Sequence, residues 1–280
     1  MVKLLIDSAA DIGAAEAKKL GIEMISMVIS FGDEEYFDGV NLSPKEFYQK
    51  LEKSKVNPKT AQISPFRFEE AFEKGTEKGD ELVVITISSK LSGTYAAAAQ
   101  AAEKFKGKVF VLDSLSATAG ERLLAQYALR LIGNGLSGKE ILEELERVKT
   151  KVCVMGVLDT LEYLKRGGRI SGAVAFVGGV LNVKPVVRVI GGEVKMVGKA
   201  RGQKKGYELM NGIVRELDGI DFSMPYGVLW TGTDESIAQK YVTESADIFE
   251  GNADAPTYMM GSTIGTHVGP GVVGIAFFQK

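Results

Sequence analysis

Apolar residues fall into two rhythms along the first half of this chain. Short apolar runs at residues 3–7, 82–87 and 108–112 have the length of buried strands. Between them lie stretches with helical composition or periodicity, at residues 9–20, 93–105 and 118–132. Ser43-Pro44-Lys45-Glu46 is a capping box with proline at the first helical position, and it predicts a helix to about Lys53. Ser64-Pro65 opens another, with Phe68, Ala71 and Phe72 on one face. Two of the strand runs end in Asp-Ser, at Asp7-Ser8 and Asp113-Ser114. Strands alternating with helices predict right-handed βαβ units and a mainly parallel sheet.

A helix over residues 139–149, with Ile141, Leu142, Leu145 and Val148 on one face, bridges to a different pattern. Residues 186–197 alternate around Gly191-Gly192, the signal of a two-residue hairpin and so of antiparallel pairing. Further strands are predicted at 226–230, 257–260 and 272–278, with a helix from Thr233-Asp234-Glu235-Ser236 to about Phe249. The expectation is an α/β protein of two domains. Residues 1–150 form a mainly parallel βαβ sheet, and residues 151–280 a mixed α/β sheet with a hairpin.

Composition narrows the function classes. Hydrophobic residues make up 45% of the 280 and charged residues 25%, enough for real cores in a soluble protein. The formal charge of −2 argues against a nucleic-acid platform, which needs a basic excess. Cys153 is the only cysteine and sits in an apolar run, so it reads as a buried strand residue. Residues 258–278 are apolar, but their glycines, Pro270 and His267 fit strands and loops better than a spanning helix. The N-terminus has no secretory signal pattern, and the expected location is cytoplasmic.

Several candidate motifs have plain structural readings. Gly133-Asn134-Gly135-Leu136-Ser137-Gly138 spells G-x-G-x-x-G, yet a helix precedes it where a dinucleotide site needs a strand. Helix termination at Gly133 or Gly135, then a capping box from Ser137 to Glu140, accounts for every residue. With one histidine and one cysteine, sites built on several His or Cys ligands are excluded by count, and no metal is expected. Asp7 and Asp113 would be the first candidates for a carboxylate magnesium site.

Four polar clusters remain. Lys59-Thr60-Ala61-Gln62-Ile63-Ser64 is read as a short loop before a helix. Ser88-Ser89-Lys90-Leu91-Ser92-Gly93-Thr94 lies between a strand and an Ala-rich helix, where free N–H groups and hydroxyls make an anion site or a simple Ser92 cap. Gly265-Thr266-His267-Val268-Gly269-Pro270-Gly271 is read as a loop whose glycines let backbone approach a ligand. The stretch from Leu161 to Ser171 carries Arg169 past a double glycine, before an apolar, glycine-broken stretch at 173–183.

In this order the clusters resemble the DegV family of bacterial fatty-acid-binding proteins, over nearly the whole chain. Asp7-Ser8-Ala9-Ala10-Asp11 is similar to the family's opening D-S-x-x-D, and Lys59-Thr60-Ala61-Gln62 to its K-T-S-Q loop. Ser88 to Thr94 resembles I-S-S-x-L-S-G-T-Y, Leu161 to Ser171 resembles L-x-x-L-x-x-G-G-R-I-S, and His267 to Gly271 resembles H-x-G-P-G. Ala61 and Ile63 depart from the usual T-S-Q-P-S, while Thr60 is kept.

The resemblance implies a non-enzymatic lipid-binding protein without a cofactor, whose ligand is one long-chain fatty acid in a buried tunnel. Thr60, Ser92, Gly93, Thr94 and His267 would hold the carboxylate, with Arg169 and Gln62 near the head group. Ile25, Met27, Val28, Phe176 and Val180 would set tunnel depth. Arg201, Lys204 and Lys205 would dock a fatty acid kinase that phosphorylates the carboxylate to an acyl phosphate for phospholipid synthesis. Peripheral membrane contact would serve lipid exchange. Two alternatives stay open: a stand-alone α/β phosphotransferase, and a hydrolase using Ser92 and His267.

Overall fold

The computed structural model describes residues 1–170, 182–252 and 254–280. Strand β1 (Val2–Asp7) leads through helix α1 (Ala14–Leu20) to β2 (Ile22–Ile25). Next come β3 (Val28–Phe31), β4 (Glu34–Phe37), α2 (Pro44–Lys53), β5 (Lys59–Ala61) and α3 (Pro65–Thr76). The first half closes with β6 (Glu81–Thr86), α4 (Thr94–Ala102), β7 (Val109–Asp113), α5 (Ala119–Gly133) and α6 (Gly138–Val148). Strands β2-β1-β6-β7 pair in that order, all parallel, as the βαβ pattern predicts. Strands β4-β3-β5 form a separate antiparallel sheet that closes over α2 through Ile29, Phe31, Phe47 and Tyr48.

That small sheet corrects one expectation. Residues 59–61, expected as loop, form an edge strand in which Thr60 pairs with Ile29. Three residues carry no readable periodicity; partner β3 makes the strand. The predicted helix over 9–20 is also shorter, because Asp11 takes a left-handed conformation (φ 55°) and the helix begins only after Gly13.

The second half contains β8 (Val152–Val157), α7 (Glu162–Arg166), β9 (Val183–Ile190), β10 (Glu193–Arg201), α8 (Gln203–Glu216) and β11 (Tyr226–Trp230). It ends with α9 (Ser236–Glu244), β12 (Thr257–Met259), α10 (Ser262–Val268) and β13 (Val273–Phe278). One mixed sheet runs β10-β9-β8-β13-β11-β12, with only β11 and β12 parallel. The β9–β10 hairpin turns at Gly191-Gly192, both at positive φ, as the alternation predicts. Its tip is latched to the first half, since Ser88 Oγ donates to the Gly192 carbonyl at 2.7 Å.

Period-two alternation sorts β8 between two cores. Cys153, Met155 and Val157 join α8 and α9 on one face, whereas Val154 faces the large core that contains α5. Helix α5 lies between the two main sheets, touching β1 and β6 as well as β8 and β13, so Leu123, Leu124, Ala125 and Ala128 are all fully buried. Burying each leucine contributes roughly 1.5–3 kcal/mol. Cys153 is the buried strand residue expected, and burial pushes its thiol up to about 11.

The Gly133–Gly138 stretch links α5 to α6, with Gly135 at φ 82° and a Ser137–Glu140 capping box. It therefore follows a helix and not a strand. Residues 258–278 resolve into β12, α10 and β13, and among the described residues no helix is long and apolar enough to cross a membrane.

Candidate functional site

Four short segments meet at the polar end of a cavity of about 270 Å³. From the first half come β5 and the turn after β6; from the second come α10 and the end of α7. The walls are mainly apolar, with Met27, Ile87, Val154, Val187, Leu229 and Ile264 among them. Thr60, Gln62, Ser92, Gly93, Arg169 and His267 supply polar surface.

His267 is not in a loop, as the glycines suggested. It occupies the last turn of α10, a seven-residue helix that ends where Gly269 takes a positive φ of 74°. Seven residues are too few for an isolated helix to persist, so tertiary contacts must hold it. Gly265 lets α10 lie against Phe47 and Tyr48, where a Cβ would come 2.6 Å from the Phe47 ring and 2.6 Å from Tyr48 Oη. Tyr48 Oη then donates to the Met260 carbonyl just before the helix, at 3.1 Å.

The imidazole Nε2 lies 2.9 Å from Thr60 Oγ1. Its Nδ1 is buried, has no hydrogen-bond partner among the described residues, and lies 2.2 Å from where a Cβ on Gly167 would stand. Burial, reinforced by the nearby Arg169 cation, pushes the His267 pKa down to about 4, so the ring is neutral at neutral pH. An orphaned buried N–H is costlier than an orphaned acceptor, which favours the tautomer with its proton on Nε2. The ring then donates to Thr60, whose hydroxyl proton is free to point into the cavity.

Ser92 follows the turn after β6 and bonds the Thr94 hydroxyl at 2.9 Å. Thr94 is fully buried and does not line the cavity; it reaches the site only through Ser92. Gly93 lies directly beneath the Gln62 amide, where a Cβ would be 1.9 Å from Gln62 Oε1. The Arg169 guanidinium donates to the Leu91 carbonyl at 3.0 Å and the Gly167 carbonyl at 2.5 Å, tying the turn after β6 to the end of α7. Thr60, Arg169 and His267 also border an outer cleft of about 290 Å³ that contains Lys59, Tyr163 and Arg166. They form the partition between an apolar interior and a basic exterior.

The remaining candidates lie elsewhere. Arg201, Lys204 and Lys205 are exposed around the start of α8, and none lines the cavity or the outer cleft. Of the tunnel-depth residues, Met27 lines the cavity, while Ile25 and Val28 do not. Ser171, Phe176, Val180 and most of the apolar 173–183 stretch lie outside the described residues. Asp7 Oδ atoms accept N–H bonds from Ala9 and Ile87, and Asp113 Oδ1 accepts from Ser89 and Leu115, so both carboxylates serve the backbone. Ser92 is engaged by Thr94 and His267 by Thr60, so the Ser–His contact a hydrolase needs is not formed.

Two buried acids, Asp11 and Asp38, hold the start of α10, and nothing local in the sequence signals Asp38. The helix itself left only a weak trace, the polar pair Ser262-Thr263 after a glycine.

The chain matches the family model described as an uncharacterised protein, DegV family, over residues 1–280. It is 33% identical over 284 residues to a DegV domain-containing protein of Caldanaerobacter subterraneus, covering 100% of this chain and 99% of the relative. Among solved structures it resembles a DegV family protein from Thermus thermophilus described for its fatty acid binding, with a TM-score of 0.85 and 31% identity. That match covers 100% of this chain and 99% of the other. A stearic-acid-binding protein from Eubacterium ventriosum superposes with a TM-score of 0.86 at 26% identity, again over 100% and 99% of the two chains.

Proposed function

This chain belongs to the DegV family, and from that premise we propose that it binds one long-chain fatty acid. The tail occupies the apolar cavity, and the carboxylate accepts hydrogen bonds from Thr60, Ser92 and the backbone at Gly93, with His267 behind Thr60. The observation that carries this reading is the Thr60–His267 pair at a polar end of a mainly apolar cavity.

The energetics support it. About 14 buried methylenes gain roughly 11 kcal/mol before ordering costs, which explains retention of a water-poor ligand. An unpaired buried carboxylate would be very costly, and the hydroxyls, the Nε2–H and nearby Arg169 offset that cost.

The same arrangement suits presentation to a partner. A carboxylate at the partition faces the basic outer cleft, open to a fatty acid kinase that transfers the γ-phosphoryl group of ATP to it, yielding acyl phosphate and ADP. Hydroxyl bonds leave carboxylate lone pairs available as nucleophile, and Arg169 steadies the developing negative charge. Arg201, Lys204 and Lys205 are the proposed docking residues, cytoplasm the proposed location, and peripheral membrane contact the proposed route of lipid exchange. Residues 1–150 and 151–280 are the proposed domains.

Denaturing mass spectrometry of the organic extract tests the binding claim. A stoichiometric long-chain fatty acid is expected. A lipid-free protein that also fails to take up added palmitate would overturn it. Adding the purified kinase and ATP to the loaded protein should yield acyl phosphate.

A further inference from the structure

Helix α10 carries no cap of its own. Gly261 occupies the N-cap position without a side chain, yet the first three N–H groups are all satisfied by carboxylates from the far end of the chain. Asp11 Oδ1 accepts from Gly261 N at 2.8 Å. Asp38 Oδ1 accepts from Ser262 N at 3.1 Å, and its Oδ2 accepts from Thr263 N at 3.1 Å and Thr263 Oγ1 at 2.6 Å. Asp38 is only 2% exposed. Placing a carboxylate there is costly unless its bonds are good, so this grip is specific.

The grip acts on the binding site at short range. Thr263, Ile264, His267 and Val268 all line the cavity, and one helical turn, about 6 Å, separates Thr263 from His267. We propose that Asp11 and Asp38 are positioning residues: a two-carboxylate clamp that fixes α10 and thereby sets His267 against Thr60. Neither carboxylate is among the cavity-lining residues, so they act through the helix. Asp11 is itself steadied by the Thr118 hydroxyl at 2.5 Å. The consequence for the ligand rests on the fatty-acid reading; the placement of His267 does not.

His267 is the only histidine, so in untagged, lipid-stripped protein its imidazole ¹⁵N signals report the ring directly. Asp38→Asn sets an NH₂ group against one N–H it must accept. It should shift those signals and raise the palmitate Kd about tenfold, and Asp38→Ala should do more. Asp11→Asn should stay near wild type, because the Thr118 hydroxyl can reverse its bond, whereas Asp11→Ala should move both readouts. Val214→Ala, on the buried face of α8, serves as a control of lowered stability and should change neither readout. Folded Asp38→Asn and Asp11→Ala proteins with wild-type imidazole signals would overturn the clamp, as would equal shifts in Val214→Ala. If wild type fails to bind palmitate while Asp38→Asn still moves the ring, the clamp stands and the ligand reading falls.

Discussion

Replacing Gly167 by alanine isolates the imidazole's position from every other feature of the site. Gly167 has φ −75° and ψ −10°, an ordinary right-handed conformation, so alanine meets no backbone strain. On chain entropy alone the change should stabilise the protein by about 0.4–1 kcal/mol. The new methyl carbon, however, would sit 2.2 Å from His267 Nδ1 and 2.9 Å from Cε1. The ring must retreat by about 1.2 Å to reach the 3.4 Å at which ordinary contact begins, and its 2.9 Å bond to Thr60 does not survive that. Losing the bond costs about 1 kcal/mol and the overpacking about 1–3, so net destabilisation of roughly 1–3 kcal/mol is expected. Palmitate affinity should fall about tenfold, equivalent to about 1.4 kcal/mol. Gly133→Ala is the matched control, with nothing within 4 Å of its Cβ, and it should be neutral or stabilising. Urea unfolding and palmitate titration of both proteins supply the comparison. A Gly167→Ala protein as stable as Gly133→Ala, with wild-type affinity, would refute the placement of His267.

Three further outcomes follow from the same geometry. Thr60→Val and Ser92→Ala each remove one hydroxyl from the carboxylate end, and each should weaken palmitate binding by about 1–3 kcal/mol in calorimetry; unchanged affinity in both would contradict the head-group assignment. His267 should make folding acid-sensitive. Its folded pKa of about 4 lies below the ordinary 6.5, so the unfolded chain binds the extra proton between those values, and stability drops by about 3 kcal/mol as pH falls from 6.5 to 4. Burial pushes Asp7 and Asp11 up to about 7, and they act in the opposite sense. The quantity to measure is therefore the difference between wild type and His267→Gln at pH 7 and pH 4, and a constant difference would contradict a buried neutral ring. Finally, Ser88→Ala removes the 2.7 Å latch on the hairpin tip and should cost about 1 kcal/mol while speeding amide exchange near Gly192; unchanged exchange would deny the latch.

The parts of this fold that the sequence announced are those with local chemistry. Ser43-Pro44, Ser64-Pro65 and Ser137 begin their helices as their caps dictate, and Gly191-Gly192 turns the hairpin. What stayed hidden is built by distant partners. Strands β2, β3 and β4 had no element predicted for them, and β5 exists because β3 pairs with it. Helix α10 is too short to propagate itself and is held by Asp11, Asp38, Phe47 and Tyr48 from the other end of the chain. Thr60, Ser92 and His267 were therefore legible as chemistry but not as geometry. Their residue types stood out, while the strand and helix that aim two of them did not.

The central claim is that a fatty acid carboxylate rests beside Thr60, Ser92 and His267 at the mouth of the apolar cavity. Palmitate labelled with ¹³C at the carboxyl carbon, bound to the protein and observed by NMR, tests it most directly. One bound carboxyl resonance in slow exchange is expected, with a chemical shift that moves in each of Thr60→Val, Ser92→Ala and His267→Gln. A bound resonance indifferent to all three substitutions would place the head group elsewhere and contradict the account.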